Sequence, residues 1–299
     1  MVAIPLTPAA AEPAFLGGAL ACLGVGLLTA IAAGVCAVGA RRRLDRLAWL
    51  AYALGAFSAL ATLVARSLAA GALALSNMYE SLLGVTLALL VAALLMRRFW
   101  TPRPGKPVET GEADGEPGPM ALWAQMIGLL ALGALSYAAT LPREIAPLMP
   151  ALQSYWRAIH VPAVLTAYAL LTLAFASAAG YLIQDARRAR PETLALWDEL
   201  TYRCVAIAFP VLAIGVMLGA LWANEAWGRY WSWDPKESMS LATLLTYGAY
   251  LHLRLNSPAS ARALAWTAVA GFAMTLLTYF GVNALGVGLH TYGKLGGSP

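Results

Sequence analysis

Between Trp222 and Glu237 the chain reads Trp222-Ala-Asn-Glu-Ala-Trp227-Gly228-Arg229-Tyr230-Trp231-Ser-Trp233-Asp234-Pro-Lys236-Glu237, and four of its ten tryptophans fall there. Two readings compete. Trp and Tyr favour the membrane–water boundary, so a dense aromatic stretch can be an interfacial belt. A belt spreads over many helix ends, however, whereas this is one loop with glycine and charges interleaved. A flat apolar platform for a planar aromatic ligand accounts for the density better. Asp234, Pro235 and Glu237 carry a separate, structural signal, because Asp at N-cap, Pro at N1 and Glu at N3 form a capping-box pattern that starts a helix. That role is favoured for Asp234 over direct ligand contact, and the two are compatible, since a rigid cap fixes where the loop sits.

The chain has three histidines, His160, His252 and His290. Taken singly, an interfacial histidine is more often solvated or hydrogen-bonded than a ligand. The three cysteines, Cys22, Cys36 and Cys204, fall inside apolar runs without CxxC spacing and read as small core residues. No Walker motif is present, so ATP hydrolysis is not expected.

The elements that position these residues follow from composition. Of 299 residues 60% are hydrophobic and only 12% charged, with a mean hydropathy of +0.67. A soluble chain of this length needs more charge to cover its surface. The apolar runs are long and continuous rather than alternating, so spanning helices are expected and a barrel is not. Eight segments suit a span of about 20 residues: Phe15–Ala40, Leu47–Ala65, Tyr79–Met96, Met120–Thr140, Ile159–Ile183, Tyr202–Trp222, Pro235–Leu253 and Leu264–Leu285. The expected fold is an all-α integral membrane protein, a bundle of about eight transmembrane helices forming one polytopic domain over residues 1–299. No basic residue precedes the first apolar run, so a cleaved signal peptide is not expected. Asn77 and Glu80 read as an Asn-x-x-Glu cap of the third span. The Pro-, Gly- and acid-rich stretch from Arg97 to Pro119 reads as a flexible cytosolic loop.

The net charge of +5 and pI near 9.2 do not point to nucleic acid, because the cations cluster in short loops. Placing the N-terminus outside puts fourteen Lys and Arg inside and six outside: Arg66, Arg143, Arg157, Arg229, Lys236 and Lys294. The positive-inside bias then sets both termini outward, and with them the loop 223–237. His160 opens the fifth span on that face and His290 lies just past the eighth, so both are level with the tryptophans. His252 lies 17 residues beyond Pro235, hence about 26 Å deeper at 1.5 Å per residue. It is either a snorkelling interfacial histidine or a functional group near the inner face.

At Trp227-Gly-Arg-Tyr-Trp231-Ser-Trp233-Asp234-Pro-Lys-Glu the sequence resembles the tryptophan-rich WWD signature of the haem-handling proteins of cytochrome c biogenesis. The Pro-Lys-Glu ending resembles the CcsA (ResC) branch, the membrane subunit of a two-component cytochrome c synthase. Asn77-Met-Tyr79-Glu80-Ser, His160-Val-Pro after Tyr155-Trp156, and Leu289-His290-Thr-Tyr-Gly293 resemble it as well, so the likeness runs from about residue 77 to 293. Ser238-Met239 departs from the Thr-Trp expected after Lys-Glu. The resemblance implies that His160 and His290 are axial ligands of haem b carried as substrate, which agrees with their shared depth, since two imidazoles can fill both axial positions. It implies a haem-handling surface from Trp222, Trp227, Gly228, Arg229, Tyr230, Trp231, Trp233 and Asp234. It assigns His252 to an inner haem site completed by a partner subunit of the CcsB (ResB) type. The implied acceptor is an apocytochrome c bearing Cys-x-x-Cys-His, and the implied setting is the bacterial plasma membrane with the active face extracytoplasmic. Arg157, Arg229 and Lys236 could pair with the haem propionates.

Rival classes differ in what they require. A membrane cytochrome b usually carries paired histidines within its spans, whereas two of these lie at outer ends. A solute transporter calls for Gly/Pro-broken helices and intramembrane charges, of which the spans hold few. Other branches of the haem-handling family stand closer, and the Pro-Lys-Glu ending and the number of spans favour the CcsA branch. The topology is open to a direct check with single cysteines labelled by an impermeant thiol reagent in intact cells. Cysteines replacing Trp231 and His290 should be labelled and one replacing Arg187 should not; the reverse pattern would overturn the orientation.

Overall fold

The computed structural model describes residues 8–35, 38–100, 119–286 and 288–290, and every regular element among them is helical. The helices are α1 (Pro8–Val35), α2 (Val38–Ala70), α3 (Met78–Trp100), α4 (Pro119–Ala139), α5 (Tyr155–Ala186), α6 (Pro191–Trp227), α7 (Pro235–Asn256) and α8 (Ala261–Leu276). A 3₁₀ turn, Pro150–Gln153, precedes α5. After Leu276 the chain continues through a π turn, Leu277–Gly281, and one further helical turn, Val282–Leu285.

Each expected segment falls largely on one helix, in the expected order, and seven of the helices are long and apolar enough to cross a membrane. The protein is therefore a multi-pass, all-α membrane protein. The helix outside those seven is α7, which carries Lys236, Glu237, Ser238, Ser240, Thr243 and Thr246 among its first twelve residues. Helix α6 begins at Pro191, its N1 residue, rather than at Tyr202; the turns before Tyr202 carry Glu192, Asp198 and Glu199 and so interrupt the apolar run. Asp198 there pairs with Arg254 of α7 at 2.6 Å. The first expected span, drawn to Ala40, ends at Val35, and α2 starts at Val38. Cys36, residues 101–118 of the expected cytosolic loop, and everything past His290 lie outside the described residues, whereas Arg97 and Arg98 belong to the last turn of α3. Cys204 is buried and Cys22 half-buried, both unbridged.

The chain's contacts fall into two compact units, α1–α4 and α5–α8. In the first, α1 packs on α2 and α4, and α3 packs on α2 and α4. Arg66, one of the six cations expected at the outer face, is fully buried instead. It donates to Glu12 of α1 at 2.8 Å and to Glu80 of α3 at 2.9 and 3.1 Å, and it reaches the carbonyl of Arg143 at 3.0 Å. Tyr79 adds its hydroxyl to the second oxygen of Glu12 at 2.8 Å. Asn77 caps α3 as expected, its Oδ1 accepting from the Glu80 N–H at 2.9 Å. The Glu80 carboxylate does not return to Asn77; it accepts from Arg66 and from the Ser76 N–H and hydroxyl.

In the second unit α5 lies along α6 and also meets α8, while α7 packs between α6 and α8. Polar contacts hold α7 to α8, as is common where lipid removes the hydrophobic drive for helix association. Thr243 Oγ1 and Thr278 Oγ1 share a hydrogen bond of 2.9 Å, and Thr278 also donates to the Met239 carbonyl at 3.1 Å. In a regular helix Thr278 and Asn283, five residues apart, would point about 140° apart. The π turn takes up one more residue and brings both to the α7 side.

Removing one member of a buried ionic cluster leaves the others uncompensated, which costs about 3–5 kcal/mol. Arg66→Met should therefore sharply lower the midpoint of thermal unfolding in detergent. The triple variant Arg66→Met, Glu12→Gln, Glu80→Gln should recover most of the loss, and equal loss in both would contradict this account.

Candidate functional site

Three chain segments that are distant in sequence meet at one end of the second unit: the start of α5, the end of α6 with its following loop, and residues 288–290. The groove on α6 is made by Gly215 and Gly219, four residues apart, which lets α5 approach closely. A Cβ on Gly219 would lie 2.8 Å from His160 Cε1, and one on Gly215 would lie 2.8 Å from Val164 Cγ2. His160 sits in this groove with Nδ1 2.8 Å from the Gly215 carbonyl. A carbonyl can only accept, so Nδ1 carries the proton and Nε2 keeps its lone pair.

Trp222, five residues before the end of α6, is fixed by its Nε1–H donated to the Ala151 carbonyl of the 3₁₀ turn at 2.8 Å. Its ring lies 5.6 Å from His160 and 6.2 Å from His290. Trp227 closes the group, 6.0 Å from Trp222 and 5.0 Å from His290, edge-on to the latter. Helix α6 then stops because Gly228 adopts φ 74° and its N–H caps the Asn224 carbonyl at 2.9 Å. Gly228, grouped with the haem-handling residues on sequence, thus has a backbone role here.

The expected capping box is present. Asp234 Oδ1 accepts from Lys236 N–H at 2.9 Å, and the Glu237 carboxylate accepts from the N–H of Asp234 at 3.1 Å and of Ser232 at 2.8 Å. Asp234 does more than cap. Its Oδ2 accepts from the Leu289 N–H, and its Oδ1 lies 2.9 Å from His290 Nδ1. Gly288, at φ 93°, makes this approach possible, since a Cβ there would collide with Asp234 Oδ2. The carboxylate again forces a protonated Nδ1, so His290 also presents a bare Nε2, as a carboxylate behind a ligating histidine does in metal sites. Burial alone would raise the Asp234 carboxyl, but the bonds from Lys236, Leu289 and His290 outweigh it and hold the group below the usual carboxylate range. Burial keeps the His290 imidazole below its ordinary value, against the pull of Asp234. The ring is therefore neutral and ligand-competent at neutral pH.

The remaining aromatic residues of the loop stand apart from this cluster. Trp231 and Trp233 form an edge-to-face pair at 5.8 Å, and Tyr230 and Arg229 are exposed. Trp233 is 70% exposed and held at φ 59°, an unfavourable backbone for a bulky residue. His252 lies at the other end of α7 with an exposed ring, two residues before Arg254. Tyr79 and Glu80 belong to the ionic cluster of the first unit. Among the described residues no group of three or more His, Cys, Asp or Glu side chains could hold a metal ion. Two histidines with free Nε2 and a wall of indoles instead suit a metal already held in a planar macrocycle. Sequence reasoning missed Gly219, Asn283 and the Ala151 carbonyl; the Gly215-x-x-x-Gly219 spacing was the one local signal for any of them.

The family model described as cytochrome C assembly protein matches residues 47–290, which cover the site from His160 to His290. The chain belongs to the cytochrome c assembly protein family. Among curated members, cytochrome c biogenesis protein CcsA of Synechococcus sp. (strain CC9902) is 34% identical, over 78% of this chain and 82% of its own. CcsA of Synechococcus sp. (strain RCC307) is 36% identical, over 78% and 80%. CcsA of Guillardia theta is 33% identical, over 77% and 80%. The expected resemblance to the CcsA branch is thus borne out. Among solved structures, a cytochrome c heme lyase CcmF superposes with a TM-score of 0.71 at 21% identity, over 94% of this chain. That match takes in 48% of the CcmF chain, so this chain spans about half its length, and the likeness is one of fold.

Histidine labelled with ¹⁵N should reveal the tautomers directly. In haem-free protein, His160 and His290 should both show a protonated Nδ1 and an unprotonated Nε2. Gly219→Ala should disturb the signal of His160 and leave that of His290 in place. Protonated Nε2 at both rings in the unmodified protein would contradict the geometry.

Proposed function

We propose that this chain binds haem b as a substrate between His160 and His290 and presents it for attachment to an apocytochrome c. The observation that carries the reading is the pair of imidazoles packed near Trp222, each tied at Nδ1 to an acceptor and unprotonated at Nε2. Bis-imidazole ligation holds iron low-spin and biases its redox state through axial identity. Trp222 and Trp227 supply the apolar wall for the macrocycle. Trp231 and Trp233, on the exposed loop, complete the surface on the side from which an acceptor approaches.

The chemistry belongs largely to the cofactor, and the protein contributes binding, orientation and protection. Each acceptor cysteine adds its S–H across a haem vinyl group. A carbon–sulfur bond forms and the hydrogen goes to the neighbouring vinyl carbon, without net oxidation. The acceptor's own histidine then takes an axial position as one of the two imidazoles leaves. Because His160 is held by a backbone carbonyl and His290 by a carboxylate, the two differ in basicity, and His160 is the more readily displaced ligand. The loop and both histidines face the extracytoplasmic side of a bacterial plasma membrane. His252 serves haem entry at the inner end of α7, with its second ligand from a CcsB-type partner subunit. Membership of the cytochrome c assembly family supports a role in cytochrome c maturation.

The test uses the intact chain co-expressed with its partner. His160→Gly and His290→Gly should each lower the bound haem and abolish maturation of a reporter cytochrome c. Added imidazole should partly restore both by entering the vacated coordination position. An unchanged haem absorption spectrum in the double variant would overturn the assignment.

A further inference from the structure

The outer end of the second unit holds three cations with different surroundings. Arg157 is buried, and its Nε–H is donated to the Leu152 carbonyl at 2.7 Å. Arg229 is exposed on the loop. Lys236, in the first turn of α7, lies within electrostatic reach of both histidines. Its Nζ donates to Asn283 Oδ1 at 3.0 Å, and its charge acts on both His160 and His290.

Asn283 is itself held in place, because its Nδ2 donates to the Tyr279 carbonyl at 2.9 Å and the π turn directs it toward α7. The ammonium therefore has a fixed position rather than the sweep of a surface lysine. An ammonium has three N–H donors, and Asn283, a neutral acceptor, takes one. Asp234 is near enough to act on it electrostatically, but that carboxylate is committed to the Lys236 and Leu289 N–H groups and to His290. Among the described residues no carboxylate makes an ion pair with Lys236. A half-buried cation with two donors and a charge left unanswered among the described residues is costly unless an anion arrives with the ligand.

We propose that Lys236, positioned by Asn283, takes a propionate carboxylate of the haem and so decides which edge of the macrocycle faces outward. The proposal rests on the haem-binding reading above. Iron ligation alone leaves the ring free to turn about the axis joining the two Nε2 atoms. The propionates and the vinyl groups lie on different edges of haem b. An anchor on the propionate edge turns the vinyl edge away from α7, where acceptor thiols can reach it. Lys236 is thus a positioning residue for a reaction in which it takes no direct part.

Comparing haem with its dimethyl ester, which keeps the iron and the vinyl groups but has no carboxylate, separates the two readings. The full chain, purified in detergent without haem, is titrated with each ligand, and the low-spin absorption spectrum and the affinity are both recorded. The unaltered protein should give the bis-imidazole spectrum with either ligand and bind haem at least about tenfold more tightly, the scale of one charge-assisted hydrogen bond. Lys236→Met should bind haem only as tightly as the ester, with ester affinity and spectrum unchanged. Equal affinity of the unaltered protein for both ligands would overturn the propionate anchor while leaving iron ligation standing. A preference for haem that survives in Lys236→Met would overturn it too. Absence of a low-spin spectrum with either ligand in the unaltered protein would overturn the haem reading, and the anchor with it.

Discussion

Asp234 is 5% exposed, and a carboxylate so placed must have its oxygens satisfied from within the protein. Three donors do so: the N–H of Lys236 at the start of α7, the N–H of Leu289, and Nδ1 of His290. The positive end of the α7 dipole favours the charge further. One side chain thereby starts a helix, holds the segment that follows α8 against it, and selects the tautomer of a candidate ligand. The backbone bends on both sides to reach it, with Trp233 at φ 59° immediately before and Gly288 at φ 93° opposite. Positive φ in a tryptophan persists only where the surroundings over-determine it, which the capping box does here.

The second histidine is held by packing instead. His160 depends on the missing Cβ atoms of Gly215 and Gly219, and on a helix carbonyl that accepts a bond beyond the α-helical ladder. Trp222 lies against both imidazoles and is itself fixed through Ala151. Rigid supports on three different segments converge on one small volume. That convergence sets this end of the unit apart from an aromatic belt, whose residues need only an interface to face.

Polar groups elsewhere in the bundle follow the same rule of internal satisfaction. In the first unit Arg66 meets two carboxylates, a tyrosine-linked network and a carbonyl. In the second, a threonine of α7 bonds to one in the π turn that follows α8, and Asp198 answers Arg254 at the far end of α7. With lipid as solvent these contacts replace the hydrophobic drive that would hold soluble helices together. They also explain how α7, too polar for an apolar span by itself, packs within the bundle.

The spanning helices and their order were legible in the sequence, because twenty-residue apolar runs admit one structure in a bilayer. So was the cap at Asp234-Pro235-Glu237, set by local chemistry. Helix ends were less legible where charge enters a helix, as in α6 before Tyr202. Two things needed the tertiary structure. Arg66 reads in sequence as an outer loop cation, and only the folding of α1 and α3 around it makes it a buried ion-pair partner. Among the aromatics, sequence density favoured Trp222, Trp227, Trp231 and Trp233 alike, whereas packing joins Trp222 and Trp227 to the histidines and leaves Trp231 and Trp233 as a separate pair. Local patterns specify what each segment becomes. Which side chains meet is decided by contacts between residues as far apart as His160 and Gly215, or Asp234 and His290, and no window of sequence contains both.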